Sequence, residues 1–212
     1  MFRQYRKPER GENIIAYADL AVGGGDYCAC QFFSKTKLDF FMVYHARVMG
    51  TEMTNMVAPV LDKLYDQTFI RPIVAFERNN GGAFEMERIV SLNRLNKYEV
   101  FRMPNLGRIE APDAVKYGVD ITSANRGGIL GDFKEAIDKR LVGVYDKQTI
   151  DEMFSFIVAR TSTSWKAQAE SKSHDDLIMS AAGAYFVHLN TQPVYLNTGE
   201  EIPDDTLWAS RL

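Results

Sequence analysis

The sequence predicts an α/β domain in which a mixed sheet of five or more strands is flanked by helices. Three observations lead there. Residues 13 to 48 carry three strand-like runs separated by connections too short to hold a helix. Residues 51 to 103 then alternate helical spacing, a compact apolar strand, helical spacing again and another strand. Beyond residue 126 the apolar spacing is helical wherever it can be assigned.

The elements follow in order. Asn13 to Ala18 reads as a buried strand ending at Asp19. Gly23, Gly24 and Gly25 form a loop, Tyr27 to Ser34 gives a second strand, and Leu38 to Val48 gives a third. Such short connections favour an antiparallel meander. Met53, Met56, Val57, Val60, Leu61 and Leu64 then fall on one helical face, with Thr51 as the expected N-cap and Pro59 as the expected bend or break. Arg71 to Glu77 (RPIVAFE) is the fourth strand, followed by Asn79-Asn80-Gly81-Gly82. A second helix places Met86, Ile89 and Val90 on one side, and Tyr98 to Met103 is a fifth strand stopped by Pro104.

Residues 105 to 125 read as a loop or hairpin outside the core. A third helix spans Arg126 to Lys139, burying Leu130, Phe133 and Ile137. Residues 142 to 172 are ambiguous, since Met153 to Ala159 fits strand or helix. Asp175 to Leu189 is helical, with Leu177, Ile178, Ala181, Ala182 and Tyr185 inward. Residues 1–189 are expected to form one domain, and 190–212, with Pro193, Pro203, Glu200, Glu201, Asp204 and Asp205, an extended acidic tail.

Composition narrows the class. The 212 residues are 46% hydrophobic and 25% charged, as expected of a globular protein that builds its core without disulfides. Cys28 and Cys30 lie two apart on one strand, poorly placed to bond each other and without nearby partners for zinc. The apolar runs are far shorter than the roughly 20 residues that span a bilayer, and MFRQYRKPERGEN has no signal-like segment, so cytosolic residence is expected. A net charge of −3 gives no overall positive field to attract nucleic acid. It excludes no nuclease, because a carboxylate-rich site lowers net charge by itself.

Three strands, a helix, a strand, a helix and a strand make up the RNase H-like order. A helical crossover between the third and fourth strands sets the fourth parallel to the first, so Asp19 and Glu77 end neighbouring strands about 4.8 Å apart. Ligand sites in such sheets lie beyond these carboxyl ends. The helix opened by His174, Asp175 and Asp176 can bring further carboxylates. Hard oxygen donors without cysteine or clustered histidine point to Mg²⁺ or Mn²⁺, and such ions commonly hold phosphate oxygens. Each residue also has a plainer role. Asp19 can form a turn, Glu77 can pair with Arg78, and Asp175 and Asp176 suit a helix N-terminus.

Four segments resemble the nuclease motifs of phage large terminases. YADLAVGGGDY is similar to the first, AFERNNGG to the second, KYGVDITSANRGGILGDFKEAI to an intervening glycine- and arginine-containing block, and SHDDLIMSAAGAY to the last. The resemblance spans about residues 14 to 189, and the order of the four segments is more specific than any one of them. It implies Asp19, Glu77 and Asp176 as primary metal ligands, with Asp175 and Asp26 as neighbouring ligands or water-holding groups. Asp175 and Asp176 remain interchangeable at this point, one residue being about 100° of helix. The implied activity is two-metal endonuclease cleavage of double-stranded DNA during viral genome packaging, with Mg²⁺ or Mn²⁺, in the cytoplasm of an infected bacterium. The implied partners are an ATPase motor domain, the small terminase and the portal.

The sequence departs from a complete large terminase in lacking a G-x-x-x-x-G-K-[ST] phosphate loop, so ATP hydrolysis is not expected of it. Arg78, Arg108, Lys116, Arg126, Lys166 and Lys172 are candidates for DNA contact, with Arg102 and Trp165 as lesser ones. The rival readings are a RuvC-like junction resolvase or RNase H on the same fold, and a noncatalytic module docking on a packaging motor.

Overall fold

The computed structural model describes residues 1–21, 26–103, 116–158 and 175–196. Its elements are β1 (Phe2–Gln4), β2 (Ile14–Asp19), β3 (Cys28–Ser34), β4 (Asp39–Ala46), α1 (Gly50–Thr68), β5 (Ile73–Phe76), α2 (Gly82–Leu92), β6 (Glu99–Val100), α3 (Arg126–Asp138), β7 (Gly143–Val144), α4 (Lys147–Val158) and α5 (Asp176–Leu189). Among the described residues they form one mixed sheet of seven strands in the order β1-β4-β3-β2-β5-β6, with β7 beside β4. No helix among these residues is long and apolar enough to cross a membrane.

β2, β3 and β4 form the expected antiparallel meander. The α1 crossover then sets β5 parallel to β2, in the register Ile15↔Ile73, Ala16↔Val74, Tyr17↔Ala75 and Ala18↔Phe76. Every residue from Ile14 to Ala18 is buried, because both faces of the sheet are covered. Ile15, Tyr17, Ile73 and Ala75 join the core under α3 and α5. The alternate residues Ile14, Ala16, Ala18, Val74 and Phe76 join the core under α1 and α2. This period of two aims Asp19 and Glu77, each two residues beyond a member of the first set, at the α5 side.

Two expectations are corrected, those for Thr51 and for residues 105 to 125. The first residues also form a strand that the sequence did not mark, since Phe2 pairs with Tyr44 on the edge of β4. Thr51 does not cap α1: the helix begins at Gly50 after Met49, and the Thr51 hydroxyl donates to Glu85 at 2.8 Å. The same helix continues unbroken through Pro59. Residues 105 to 125 do not all lie outside the core. Val119 is fully buried and pairs with Glu77, Tyr117 pairs with Arg102, and Ile121 joins the α5-side core. These are long-range pairings of single residues, which leave no periodic trace in the sequence.

The ambiguous stretch around Met153 is helical, as α4. In α2, Met86 and Ile89 are buried while Val90 is exposed. Residues 190–196 follow α5 without regular structure, and Val194 exchanges two hydrogen bonds of 2.7 Å with the Asn13 side chain. The remainder of the acidic tail lies outside the described residues.

Candidate active site

The end of β5 turns sharply through Arg78-Asn79-Asn80-Gly81-Gly82 into α2. A Cβ at position 82 would lie 1.7 Å from the Glu77 carbonyl oxygen, so this close return of the chain needs glycine. The turn also holds Glu77 itself. Asn79 Nδ2 donates to Glu77 Oε1 at 2.8 Å and to the Ile121 carbonyl at 2.7 Å. The Glu77 backbone N–H donates to the Ala18 carbonyl at 2.9 Å, continuing the β2–β5 pairing to the residue beside Asp19.

Across from these strand ends stands the N-terminus of α5, with Asp175 at its cap and Asp176 as its first residue. The helix packs on β2 and β3. Three carboxylates therefore act on Asp19. Burial pushes the Asp19 carboxyl well above its usual range, and Glu77, Asp176 and Asp175 push it further, in that order, against an opposing pull from Arg126. Glu77 is 7% exposed and also raised, by burial first, while the Asn79 hydrogen bond and Arg126 oppose the shift.

The two adjacent aspartates have different partners. Asp175 Oδ2 accepts from Arg126 Nη2 at 2.5 Å, which ties the start of α5 to the start of α3. Asp176 is the stronger of the two in its effect on Asp19.

Glu152 of α4 carried no signal in the sequence that marked it. Its Oε2 accepts from the backbone N–H groups of both Leu177 and Ile178 at 3.0 Å. A carboxylate there satisfies two otherwise unpaired donors of the first turn and complements the helix dipole. Burial raises the Glu152 carboxyl and Asp176 and Asp175 add to it, so that it titrates at about 8 despite those two bonds. It lies on a helix remote from the acidic motifs in sequence, and only tertiary packing brings it to them.

The other candidates are placed differently. Asp26 is exposed just ahead of β3 and is not among the groups acting on Asp19. Arg78 is engaged by Asp120 at 2.9 Å and by the Tyr117 carbonyl at 2.7 Å. Lys116 is exposed. Arg102 lies over the Tyr117 ring, 5.5 Å from its centroid. Arg108, Trp165, Lys166, Lys172 and His174 lie outside the described residues.

With this geometry in place, solved structures give clear matches. The nuclease domain of the large terminase of Thermus phage P74-26 aligns with a TM-score of 0.57 and 15% identity, over 86% of this chain and 82% of its own. The large terminase nuclease of thermophilic phage G20c with bound magnesium aligns at 0.58 and 16%, over 86% and 84%. The human cytomegalovirus terminase nuclease domain soaked with manganese aligns at 0.54 and 13%, over 84% and 83%. The fold is that of the large terminase nucleases.

No protein-family model matches the chain, and a comparison with curated proteins gives no match. The sheet and its flanking helices are RNase H-like, as in those terminase nuclease domains.

The donors gathered at its acidic end are all carboxylate oxygens, which suits a hard divalent cation. The buried Tyr17 hydroxyl beside them has no hydrogen-bond partner among the described residues. As the side chains stand, no three His, Cys, Asp or Glu residues among those described converge closely enough to hold an ion. The carboxylates' donor chemistry and charge fit a divalent cation.

Proposed function

We propose that this chain is a divalent-metal-dependent DNA endonuclease domain, the nuclease part of a phage large terminase, acting when viral DNA is cut during genome packaging. The observation that carries the reading is the pairing of Asp19 and Glu77. They are neighbouring carboxylates at the ends of parallel strands, both held above their usual range and facing the acidic start of α5. Carboxylates held close together are costly to a fold, and a bound divalent ion relieves that cost. The magnesium and manganese in the G20c and cytomegalovirus structures agree with that choice of ion.

In this reading Asp19, Glu77 and Asp176 would hold two divalent ions. Divalent ions so held acidify water and offset charge on the phosphodiester. The protein's own groups supply the orientation. Glu152 fixes the first turn of α5, and Arg126 turns Asp175 toward α3, leaving Asp176 as the α5 carboxylate directed at Asp19. Asn79 holds one oxygen of Glu77, so that the other is free to face a ligand. Arg126 and Lys116 are the described basic residues nearest in role to a phosphate contact, with Arg108, Lys166 and Lys172 as further candidates. The double-stranded DNA substrate, the ATPase motor, the small terminase and the portal come to this chain by resemblance.

Plasmid nicking and linearisation with Mg²⁺, Mn²⁺ or EDTA tests the reading, with wild type beside Asp19→Asn. Metal-dependent cleavage that disappears in the variant is expected. A fully active Asp19→Asn protein would remove the core of the proposal.

A further inference from the structure

Tyr17 is among the largest side chains wholly shielded from solvent. Other tyrosines of this protein find partners for their hydroxyls. Tyr98 donates to the Ile89 carbonyl at 2.7 Å, Tyr5 to Asp146 at 2.5 Å, and Tyr145 to Asp39 at 3.2 Å. The Tyr17 hydroxyl has none among the described residues. A buried hydroxyl left unpaired is destabilising, so its presence calls for a physical reason.

Space does not supply one. The Tyr17 ring lies in a slot opened by Gly183 of α5, where a Cβ would fall 2.2 Å from Cε1 and 2.3 Å from Cζ. Phenylalanine would fill that slot equally well and bring no unpaired oxygen. Tyr17 sits two residues before Asp19 on the same face of β2, and its register partner Ala75 sits two residues before Glu77 on β5. The phenol is therefore flanked by the two strands that end in the acidic pair.

We infer that Tyr17 is a positioning residue of the acidic site, its unpartnered hydroxyl a hydrogen-bond donor behind the Asp19–Glu77 pair that favours the arrangement able to take a divalent cation. A donor behind a carboxylate orients it toward a bound ion, as outer hydrogen bonds do for metal ligands generally. The inference depends on the acidic end being a divalent-cation site, as proposed above. It goes beyond that reading by giving a task to a residue outside the proposed ligand set.

The test is Tyr17→Phe in the intact chain, stripped with EDTA and titrated with Mn²⁺ while the melting temperature is followed. The metal-free variant is expected to melt at or above the wild-type temperature. Its Mn²⁺ midpoint is expected to move to roughly tenfold higher concentration, the usual effect of losing a group that orients metal ligands. Cleavage at low Mn²⁺ should fall accordingly and recover as Mn²⁺ is raised. An unchanged midpoint beside a clear wild-type response would overturn the inference and leave the metal-site reading standing. If wild-type protein shows no Mn²⁺-dependent rise, both fall together. Tyr17→Leu separates out packing: a loss of metal-free stability in that variant, with Tyr17→Phe silent in every assay, would make the residue structural only.

Discussion

Arg3 and Arg6 pair with three buried carboxylates at the β1–β4 edge of the sheet, whereas at the ends of β2 and β5 neighbouring carboxylates raise one another. In the first region Arg3 grips Asp146 with two bonds of 2.7 and 3.0 Å, and Tyr5 and Thr149 donate to the same carboxylate. Arg6 bridges Asp39 and Glu12. In the second, Arg126 pairs with Asp175 and opposes the raised titration of Asp19 and Glu77. Titration follows pairing. Burial would raise Asp146, but bonds from Arg3, Tyr5 and Thr149 outweigh it and hold the group at about 2, while Glu152 stands at about 8. Two carboxyl groups thus move in opposite directions: ion pairing and hydrogen bonds lower Asp146, while burial and neighbouring carboxylates raise Glu152. Matched charge makes the first region structural, while the second, where carboxylates raise one another, is the proposed cation site.

The sharpest way to break this contrast is one carboxylate-to-amide change in each region. Asp19→Asn should reduce metal-dependent cleavage by on the order of a thousandfold or more, about 4 kcal/mol of barrier. Its thermal stability should be unchanged or higher, since a repelling charge is gone. Calorimetry and plasmid cleavage on the same sample check both halves. Asp146→Asn should do the reverse, leaving Arg3 without its counter-ion and costing about 3 kcal/mol in denaturant unfolding. Metal affinity per folded molecule should be unaltered. If both substitutions destabilise equally, the two regions do not differ as described.

Metal itself should act on one region alone. Mn²⁺ at about 100 times its dissociation constant should stabilise the protein by about 2.7 kcal/mol, reversibly with EDTA. The same increment should be measured in Asp146→Asn and be lost in Asp19→Asn.

The smallest effect expected is in pH dependence, where the regions have opposite signs. Asp146 is depressed from its ordinary 3.8 to about 2, so its stabilisation is present above 3.8 and is lost as pH falls through about 2. Glu152 is raised from 4.5 to about 8, so its contribution is present below 4.5 and is lost as pH rises toward about 8. Melting temperature of the metal-free protein should therefore decline between about pH 5 and 8, more gently in Glu152→Gln. A profile as steep in Glu152→Gln as in wild type would contradict the placement of that shift.

Much of this was legible in the sequence. Strand and helix periods placed β2 to β5, α1, α2, α3 and α5 within a few residues, because each buries a periodic apolar face. Asp19 and Glu77 stood out because the order of elements made β2 and β5 neighbours. What escaped had no local pattern. β1 is a short, mostly polar strand pinned by Arg3 and Asp146, which are 143 positions apart. Val119 and Ile121 are isolated apolar residues whose burial depends on a sheet edge formed elsewhere. Glu152 is one acidic residue in an amphipathic helix until α5 is packed against it.

The sequence alone determined the class of fold, the neighbouring strand ends and the acidic character of the helix that faces them, since periodicity and crossover rules act on short stretches of chain. Only the tertiary structure decided which aspartate Arg126 takes, that Glu152 caps α5, and that Tyr17 lies against Gly183 beside the acidic pair. Those outcomes depend on distances between residues far apart in the chain, and the energies that settle them arise only when solvent is excluded and the helices close on the sheet.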